Sequence, residues 1–242
     1  MRGGYHLAMT DEQAPSGSTL ARGVLTDLRP QDFGRGNPSN VSNPLVEPLW
    51  AGLRVLAAID AGGVAIVDED GDPIDGFDAI VEGLSGSSAG SEIVIDGIIT
   101  KQATRTSVSV VAWSDETPFS MASMVGLRRN RATDSIKLKE DAYADATFDP
   151  ADSIALVVTD LLWLDETSLL DIPLMERRRL LEGVLVESDT VRIGAFVRPP
   201  IQHWVNSWRA QGFQGLTFKA ANSRYLPGRP NPEWVIAGMP RR

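Results

Sequence analysis

The chain contains no cysteine and only two histidines, His6 and His203, among its 242 residues. The absence of cysteine excludes disulfides, thiol nucleophiles and thiolate metal ligands, and two isolated histidines do not make a histidine-based zinc site. We therefore expect no metal site. A chain without cysteine suits a reducing compartment, and its first 13 residues show no basic start followed by an apolar run. We expect a cytoplasmic protein.

Long apolar runs are also missing. No stretch approaches the roughly 18 consecutive apolar residues that a membrane-spanning helix needs. Hydrophobic residues make up 43% of the chain and charged residues 23%. These proportions are typical of a globular protein that is large enough to bury a core, and they give no reason to expect a membrane partner.

Positive charge is scarce and unevenly placed. The net charge is −9, which opposes a broad phosphate-neutralising surface. Residues 55–98 carry ten acids and no base, whereas residues 197–242 carry seven bases and one acid. We interpret both regions as solvated faces that attract each other in the fold. Phosphate contact remains the alternative for the basic region.

Residues 1–43 are rich in glycine, serine, proline and asparagine, so we predict a flexible, loosely packed N-terminal arm there and one domain over residues 44–242. Alternating and continuous apolar runs predict strands at residues 54–67, around a turn at 60–63, and at 92–100, 107–113 and 154–163. A turn is expected at residues 70–73. Strands should dominate the first two thirds of the chain.

Two helices are predicted further on. Residues 174–185 follow the start signal Asp171-Ile-Pro173, and Ile201, Val205 and Trp208 share one face of a second helix that stops at Gly212. In the first helix, Arg177, Arg178 and Arg179 are expected to lay their stems over apolar surface with the charged heads in water, rather than to form a phosphate clamp. The tryptophans of the second helix are expected in the core.

Three sequence blocks resemble the adenylation domain of ATP-dependent DNA ligases, especially the bacterial end-joining type. The first is Glu47-Pro-Leu-Trp-Ala-Gly-Leu-Arg54, similar to the nucleophile motif Glu-Pro-Lys-x-Asp-Gly-x-Arg. The second joins Thr159-Asp-Leu-Leu-Trp-Leu-Asp165 to the segment Leu170–Glu182. The third comprises Gly212-Phe-Gln-Gly-Leu-Thr-Phe-Lys219, Ser223-Arg-Tyr-Leu-Pro-Gly-Arg229 and Trp234. Ile95-Asp-Gly-Ile-Ile99 also looks like the family's Leu-Asp-Gly-Glu element.

The resemblance implies an α+β nucleotidyltransferase (ATP-grasp-like) domain, in which two antiparallel sheets are flanked by helices and enclose a groove. In the family, a lysine amine in that groove attacks the α-phosphorus of ATP and carries AMP. ATP and magnesium would be the implied cofactors, and an OB-fold domain follows the adenylation domain. We expect no OB-fold domain here, because the chain ends at Arg242.

The positions that match the family's reactive residues have changed. Leucine stands at the lysine's position and has no lone pair, so adenylation there is excluded. The motif's Asp, the later metal-linked carboxylates, the adenine-stacking aromatic and the paired phosphate-binding lysines are likewise replaced. The altered positions are Leu49, Ala51, Ile98, Thr159, Gln214, Ile236 and Gly238. Only Arg54, Asp96 and Lys219 keep the family's identity as nucleotide-binding remnants.

These replacements predict a catalytically inactive ligase-like protein, with no ATP or magnesium bound and a groove partly closed by Leu49, Ala51, Ile98 and Ile236. Its role would be to bind DNA ends or a repair protein. Candidate nucleic-acid contacts are Arg128, Arg129, Arg131, Arg224 and Arg229.

Two alternatives stay open at this stage. One is a divergent active ligase that uses Lys219, one of four lysines in the chain, or residues supplied by a partner. The other is a sensor that binds a nucleotide without reacting. The oligomeric state is not predicted.

Overall fold

The computed structural model describes residues 20–89, 91–101 and 154–240. Four helices are found in this part of the chain: α1 (Leu20–Asp27), α2 (Asp78–Ser85), α3 (Leu174–Val184) and α4 (Gln202–Ala210). The strands are β1 (Asp32–Gly34), β2 (Pro44–Pro48), β3 (Leu53–Asp60), β4 (Gly63–Val67), β5 (Ile93–Thr100), β6 (Ala155–Leu164), β7 (Thr167–Ser168), β8 (Val191–Ile193), β9 (Gly215–Ala220) and β10 (Pro230–Gly238). A short 3₁₀ helix covers Pro38–Asn40.

The strands form two sheets. The first has the order β1-β10-β9-β2, and the second has the order β4-β3-β5-β6-β7, with β8 beside β6. Neighbouring strands are antiparallel except for the short pairs β1/β10 and β6/β8. The expectation of an α+β domain with two largely antiparallel sheets and flanking helices is confirmed.

Three apolar clusters hold the layers together. One joins the first sheet to α4 through Phe218, Val205 and Trp208. Another joins the second sheet to α2 and α3 through residues such as Leu84 and Leu181. A third contains side chains of both sheets, including Leu45 and Trp234 of the first and Leu56 and Val94 of the second. The two sheets therefore face each other across a partly apolar interior.

Several sequence predictions are confirmed. The hairpin β3/β4 turns at residues 61–62, and β5, β6 and α3 lie where the apolar patterns predicted them. Helix α4 ends at Ala210, close to Gly212, whose φ of +90° lies in the left-handed region that favours glycine. Trp208 is fully buried, as expected of a core residue. The strand predicted at 107–113 lies outside the described residues.

The region that was predicted to be a loose arm differs from the expectation. Residues 20–43 contain α1 and β1, and Ala21, Leu25 and Leu28 pack into the cluster between the sheets. The short apolar run Leu20–Leu28 carries this packing because it forms an amphipathic helix, and tertiary contacts stabilise a helix that is too short to persist alone. Residues 1–19 lie outside the described part of the chain.

The arginines of α3 also depart from the prediction. Arg177 and Arg178 are fully buried rather than solvated at their heads. Only Arg179 stays exposed, where it pairs with Glu176 three residues earlier. The physical reason is that both buried guanidinium groups have acceptors inside the fold, so that burial leaves most of their donors satisfied.

Two acids of the acidic region 55–98 are not solvated either. The Asp60 carboxylate is buried against Arg22 at 3.3 Å, and Asp96 is fully buried against Arg54.

The part of the chain that the structure describes includes no helix long and apolar enough to cross a membrane.

Candidate functional site

The first sheet supplies one wall of the space between the sheets. The register places Glu47, Thr217 and Ile236 in one row across β2, β9 and β10. Lys219 and Trp234 pair in the next row, two residues further along their strands. Because side chains alternate along a strand, the two rows share a face. This face carries both the family remnant Lys219 and the altered position Ile236.

Lys219 is committed to a partner inside the protein. Its Nζ lies 2.7 Å from Glu47 Oε2, and the two side chains are 3% and 2% exposed. The ammonium also lies 4.5 Å from the centroid of the Trp234 ring, within the range of a cation–π contact. The other Glu47 oxygen, Oε1, and the Thr217 hydroxyl have no hydrogen-bond partner. Lys219 is therefore a buried, ion-paired cation.

Leu49 follows β2 directly and is the position that the sequence resemblance matches to the family's nucleophile. Its backbone N–H donates to the Gly215 carbonyl at 2.9 Å, which fixes the residue beside the start of β9. The side chain is 9% exposed and packs on Gly215, where an added Cβ would lie 3.0 Å from Leu49 Cδ2. The position is thus filled by hydrocarbon that belongs to the protein interior.

The glycine turn of the same motif is intact. Gly52 has a φ of +153°, and a Cβ at this position would meet the Ile99 carbonyl oxygen at 2.1 Å. Ala51, which is half-buried, accepts a hydrogen bond from Thr100 Oγ1 at its carbonyl, at 2.6 Å. The turn that presents the motif is therefore preserved, although its reactive side chain is absent.

The second sheet supplies a buried ion pair. Arg54 donates from Nε to Asp96 Oδ1 at 3.1 Å and from Nη2 to Oδ2 at 2.7 Å. Its Nη1 donates to the Gln31 carbonyl at 2.5 Å. The Tyr225 hydroxyl donates to Asp96 Oδ2 at 2.7 Å and accepts from the Gln31 backbone N–H at 2.9 Å. Burial raises the pKa of Tyr225 well above its ordinary value, and the Asp96 charge adds to the effect.

A second ion pair lies next to the first. Asp160 is the cross-strand neighbour of Asp96, and both of its oxygens accept from Arg177, at 2.8 and 2.7 Å. Both side chains are fully buried. The Arg177 guanidinium lies 5.8 Å from the centroid of the Tyr225 ring. We call Arg54, Asp96, Tyr225, Arg177 and Asp160 the polar seam.

The sequence did not predict that the residues of the polar seam contact one another. Arg54 and Asp96 were predicted to be remnants of a nucleotide site, whereas in the structure they form an ion pair with each other. Tyr225 and Asp160 belong to the blocks quoted above, but their spacing carries no signal of the contact. Gln31 lies in the region that was predicted to be a loose arm, and nothing in the local sequence points to its role.

The remaining altered positions are divided between interior and surface. Ile98 and Ile236 are buried, and Thr159 is buried with its hydroxyl 3.4 Å from the Asp96 carbonyl oxygen. Gly238 lies opposite Gly215 at the end of β10. Gln214 is exposed and donates from Nε2 to the Gly212 carbonyl in its own loop, at 3.0 Å.

The predicted nucleic-acid contacts are only partly described. Arg224 and Arg229 are exposed, and Arg224 Nη1 lies 3.2 Å from the exposed Asp171 carboxylate. Arg128, Arg129 and Arg131 lie outside the described residues. The structure therefore leaves two guanidinium groups at the surface near the end of the first sheet.

These residues do not fit magnesium and a triphosphate. Asp96 and Lys219, which keep their family identity, are occupied by Arg54 and Glu47. Ile98 and Ile236 offer no ligand atom, and Gln214 turns back onto its own loop. Within residues 20–89, 91–101 and 154–240, no group of three or more histidine, aspartate or glutamate residues is placed to hold a metal ion.

Comparison with known proteins gives a consistent family. A sequence model described as "ATP dependent DNA ligase domain" matches residues 43–235. The DNA ligase of Methanocorpusculum labreanum is 30% identical over 89 residues, which is 36% of this chain and 16% of that protein. The DNA ligase of Methanothrix thermoacetophila is 32% identical over 91 residues, or 34% and 15%. The matched segment is thus a small share of these relatives' length.

Solved structures share the fold. The ligase domain of M. tuberculosis LigD superimposes with a TM-score of 0.57 at 20% identity, covering 87% of this chain and 59% of that one. A mycobacterial DNA ligase D complexed with ATP and MES gives a TM-score of 0.56 at 21% identity, covering 87% and 60%.

Proposed function

The chain belongs to the ATP-dependent DNA ligase domain family, and we propose that it is a non-catalytic member, whose adenylation scaffold binds a partner without reacting with ATP. The observation that carries this proposal is Leu49. A hydrocarbon side chain occupies the nucleophile's position and is buried against Gly215. Loss of a covalent nucleophile costs about a millionfold in rate in a well-studied enzyme.

Lys219 is a poor substitute for the missing lysine. An amine attacks phosphorus through its lone pair, and the Lys219 Nζ is instead engaged with the Glu47 carboxylate at 2.7 Å. Lys219 is also 3% exposed, so an incoming triphosphate would have to displace Glu47 and Trp234 to reach it. The geometry therefore weighs against the alternative of an active ligase that uses Lys219.

Among the described residues, the altered positions near Leu49 do not supply what phosphoryl chemistry needs. Catalysis of this type depends on cations and metal ions that offset the charge of the transferring group. Ile98, Ile236 and Gly238 provide neither charge nor a metal ligand. We infer that the protein works without ATP or magnesium, in the cytoplasm, and that a nucleotide sensor is also disfavoured.

A labelling experiment tests the proposal. Purified protein is incubated with magnesium and ATP labelled at the α-phosphate, denatured, and examined for retained label. We expect none, because Leu49 has no amine and Lys219 is held by Glu47. The Lys219→Ala variant is the matched control. Label that is retained by the unmodified chain and lost from this variant would establish the active alternative.

Restoring the lysine sharpens the same test. We expect Leu49→Lys to remain unlabelled, because residues that act as a unit do not restore activity one at a time. Retention of label by Leu49→Lys alone would show that the groove still admits ATP. It would also mean that the residue at position 49 alone accounts for the loss of activity.

The partner that we propose is either DNA ends or a DNA-repair protein. Family membership and the exposed Arg224 and Arg229 support DNA, whereas the net charge of −9 opposes it. Titrating fluorescent nicked and blunt duplexes at about 50 and 200 mM salt decides between the two, since phosphate contacts weaken steeply with salt. Salt-dependent micromolar binding supports DNA, and its absence leaves the protein partner.

Matched variants make the titration specific. If DNA binds through the basic surface, Arg224→Gln and Arg229→Gln should each weaken binding and lower its salt dependence. Arg179→Gln serves as the control, because Arg179 is exposed and paired with the exposed Glu176. An equal loss of binding in all three variants would point to non-specific attraction.

A further inference from the structure

At three positions an aspartate is followed directly by a glycine: Asp70–Gly71, Asp75–Gly76 and Asp96–Gly97. Because glycine has no Cβ, its amide nitrogen is poorly shielded and can reach the carboxyl carbon of the preceding side chain. A backbone N–H that already donates a hydrogen bond is held away from that carbon. The structure places the three pairs in different surroundings, so their reactivities should differ.

The pair in β5 is held rigidly. Asp96 is fully buried, and its two carboxylate oxygens accept hydrogen bonds from Arg54 at 3.1 and 2.7 Å. Gly97 lies close to β6, where an added Cβ would be 2.8 Å from the Val157 carbonyl oxygen. The Asp96 carboxyl group therefore cannot turn towards the Gly97 nitrogen without disrupting the polar seam.

The pair in the loop after β4 is exposed at Asp70 but constrained at Gly71. The Gly71 N–H donates to the Asp68 carbonyl at 3.2 Å, and Asp68 Oδ1 accepts from the backbone N–H groups of Asp70 and Asp72, both at 2.9 Å. The Arg29 guanidinium covers Gly71, since an added Cβ there would lie 2.2 Å from its central carbon. The nitrogen that would attack is thus both bonded and covered.

The third pair lies between two anchored segments. Before it, the Ile74 N–H donates to the Ile66 carbonyl of β4 at 3.1 Å, and after it α2 begins at Asp78. Asp75 and Gly76 are both exposed, and within the described residues neither has a hydrogen-bond or ion-pair partner. Gly76 has a φ of +89°, and an added Cβ would meet no atom within 4 Å. Its nitrogen is free and its surroundings are open.

We propose that Asp75 is a site of spontaneous backbone isomerisation to isoaspartate. The Gly76 nitrogen attacks Asp75 Cγ, an N–Cγ bond forms, and the carboxyl hydroxyl leaves as water with the proton of the nitrogen, which closes a succinimide ring. Water that adds at Cγ restores aspartate. Water that adds at the Asp75 backbone carbonyl carbon breaks its bond to the Gly76 nitrogen and leaves the chain linked through the side chain. The mass is unchanged, and no cofactor or oxidant is consumed.

The modification alters the connection between β4 and α2. In the product the backbone is longer by one methylene group, and the former backbone carboxyl group becomes a new exposed carboxylate. Helix α2 packs Ile80 and Leu84 against the second sheet, so the added length lies immediately before a helix of the core. The inference does not depend on the proposed function, because Leu49 and Lys219 take no part in it.

Peptide mapping of the unmodified protein tests the proposal. The folded protein is kept for several weeks at physiological temperature and pH, and a parallel sample is kept in urea. Liquid chromatography separates the isomeric peptides, and electron-transfer fragmentation distinguishes isoaspartate from aspartate at each position. In the folded protein we expect isoaspartate to accumulate at Asp75 and about tenfold or more slowly at Asp96, because attack there requires the strand to open. Asp70 should also lag behind Asp75.

In urea the three pairs should react at comparable rates, because only the local Asp-Gly sequence remains. Folded protein without isoaspartate at position 75 would overturn the proposal, and so would folded protein in which Asp70 or Asp96 reacts as fast as Asp75. The variant Asp75→Glu is the matched control, because it keeps the charge but moves the carboxyl carbon out of reach of a succinimide ring. The signal assigned to position 75 should disappear in this variant, and its persistence would contradict the assignment.

Discussion

Two parts of the space between the sheets differ in whether they contain charged or apolar side chains. The polar seam keeps its charged residues, and each of its two carboxylates is paired to an arginine through two hydrogen bonds. At the positions that resemble the family's nucleotide site, by contrast, Leu49, Ile98 and Ile236 are buried hydrocarbon side chains. The seam is a buried network of ion pairs, whereas the other end is apolar.

On the non-catalytic function that we propose, the difference indicates which charges the fold keeps. Removing one partner of a buried ion pair strands the other in the interior, at a cost of several kcal/mol. A reactive lysine or metal ligand has no such partner in the fold, and replacing it with an apolar side chain removes a desolvation cost. The proposed function thus implies that paired charges persist and unpaired functional charges are lost.

Removing one ion-pair partner from the polar seam should have the largest effect on stability. Arg177→Leu leaves Asp160 fully buried without its counter-charge, and we expect a loss of about 3–5 kcal/mol in the free energy of unfolding. Urea denaturation followed by circular dichroism measures it. Arg179→Leu is the control, because its pair with Glu176 is exposed and should leave the denaturation midpoint unchanged.

A double variant separates the pair from its parts. Replacing both Asp160 and Arg177 by leucine removes the stranded charge, so the loss should be smaller than for Arg177→Leu alone. A double variant that is as unstable as the sum of both single variants would show that the ion pair itself is not coupled. The contrast with the apolar end would then lose its basis.

Truncating an apolar side chain at the other end should cost less stability. Leu49→Ala removes hydrocarbon that packs on Gly215, and we expect a loss of about 2–4 kcal/mol. The same denaturation assay measures it, with Val186→Ala as the control, because Val186 is 60% exposed. A Leu49→Ala variant as stable as the parent would mean that Leu49 does not contribute to the core.

Tyr225→Phe should have the smallest effect and a pH signature. The variant takes one donor from the Asp96 carboxylate and one acceptor from the Gln31 N–H, so we expect a loss of about 1–3 kcal/mol at pH 7. Because the folded pKa of Tyr225 is raised above the unfolded value, the folded state holds its proton longer. Stability that depends on this group is present below the unfolded pKa and is lost as the pH rises above it.

Comparing the two proteins at pH 7 and above pH 10 isolates this contribution. The difference in unfolding free energy between parent and Tyr225→Phe should shrink at the higher pH, because only the parent loses the tyrosine's contribution. A difference that stays constant over this range would contradict the raised pKa of Tyr225.

Local patterns predicted much of the fold. The strands β3 to β6 and helix α3 follow from apolar runs and start signals that lie within each segment. The glycine turn at Gly52 and the replacement at Leu49 could also be read directly, because both belong to one contiguous block. Features of this kind depend on neighbours that are close in sequence.

The rest depends on contacts between distant residues. The burial of Arg177 is decided by Asp160, 17 residues away, and that of Arg54 by Asp96, 42 residues away. Gln31 joins the seam through Tyr225, which follows it by 194 residues. A triple arginine run on a helix has the same local pattern whether or not such acceptors exist, so solvation was the wrong prediction for Arg177 and Arg178.

The intact mass of the purified protein after incubation with magnesium and ATP tests the central claim most directly. The account predicts a single species at the mass of the unmodified chain, before and after incubation, because Leu49 offers no amine and Lys219 is held by Glu47. An additional species heavier by one adenylyl group, on any side chain, would contradict it.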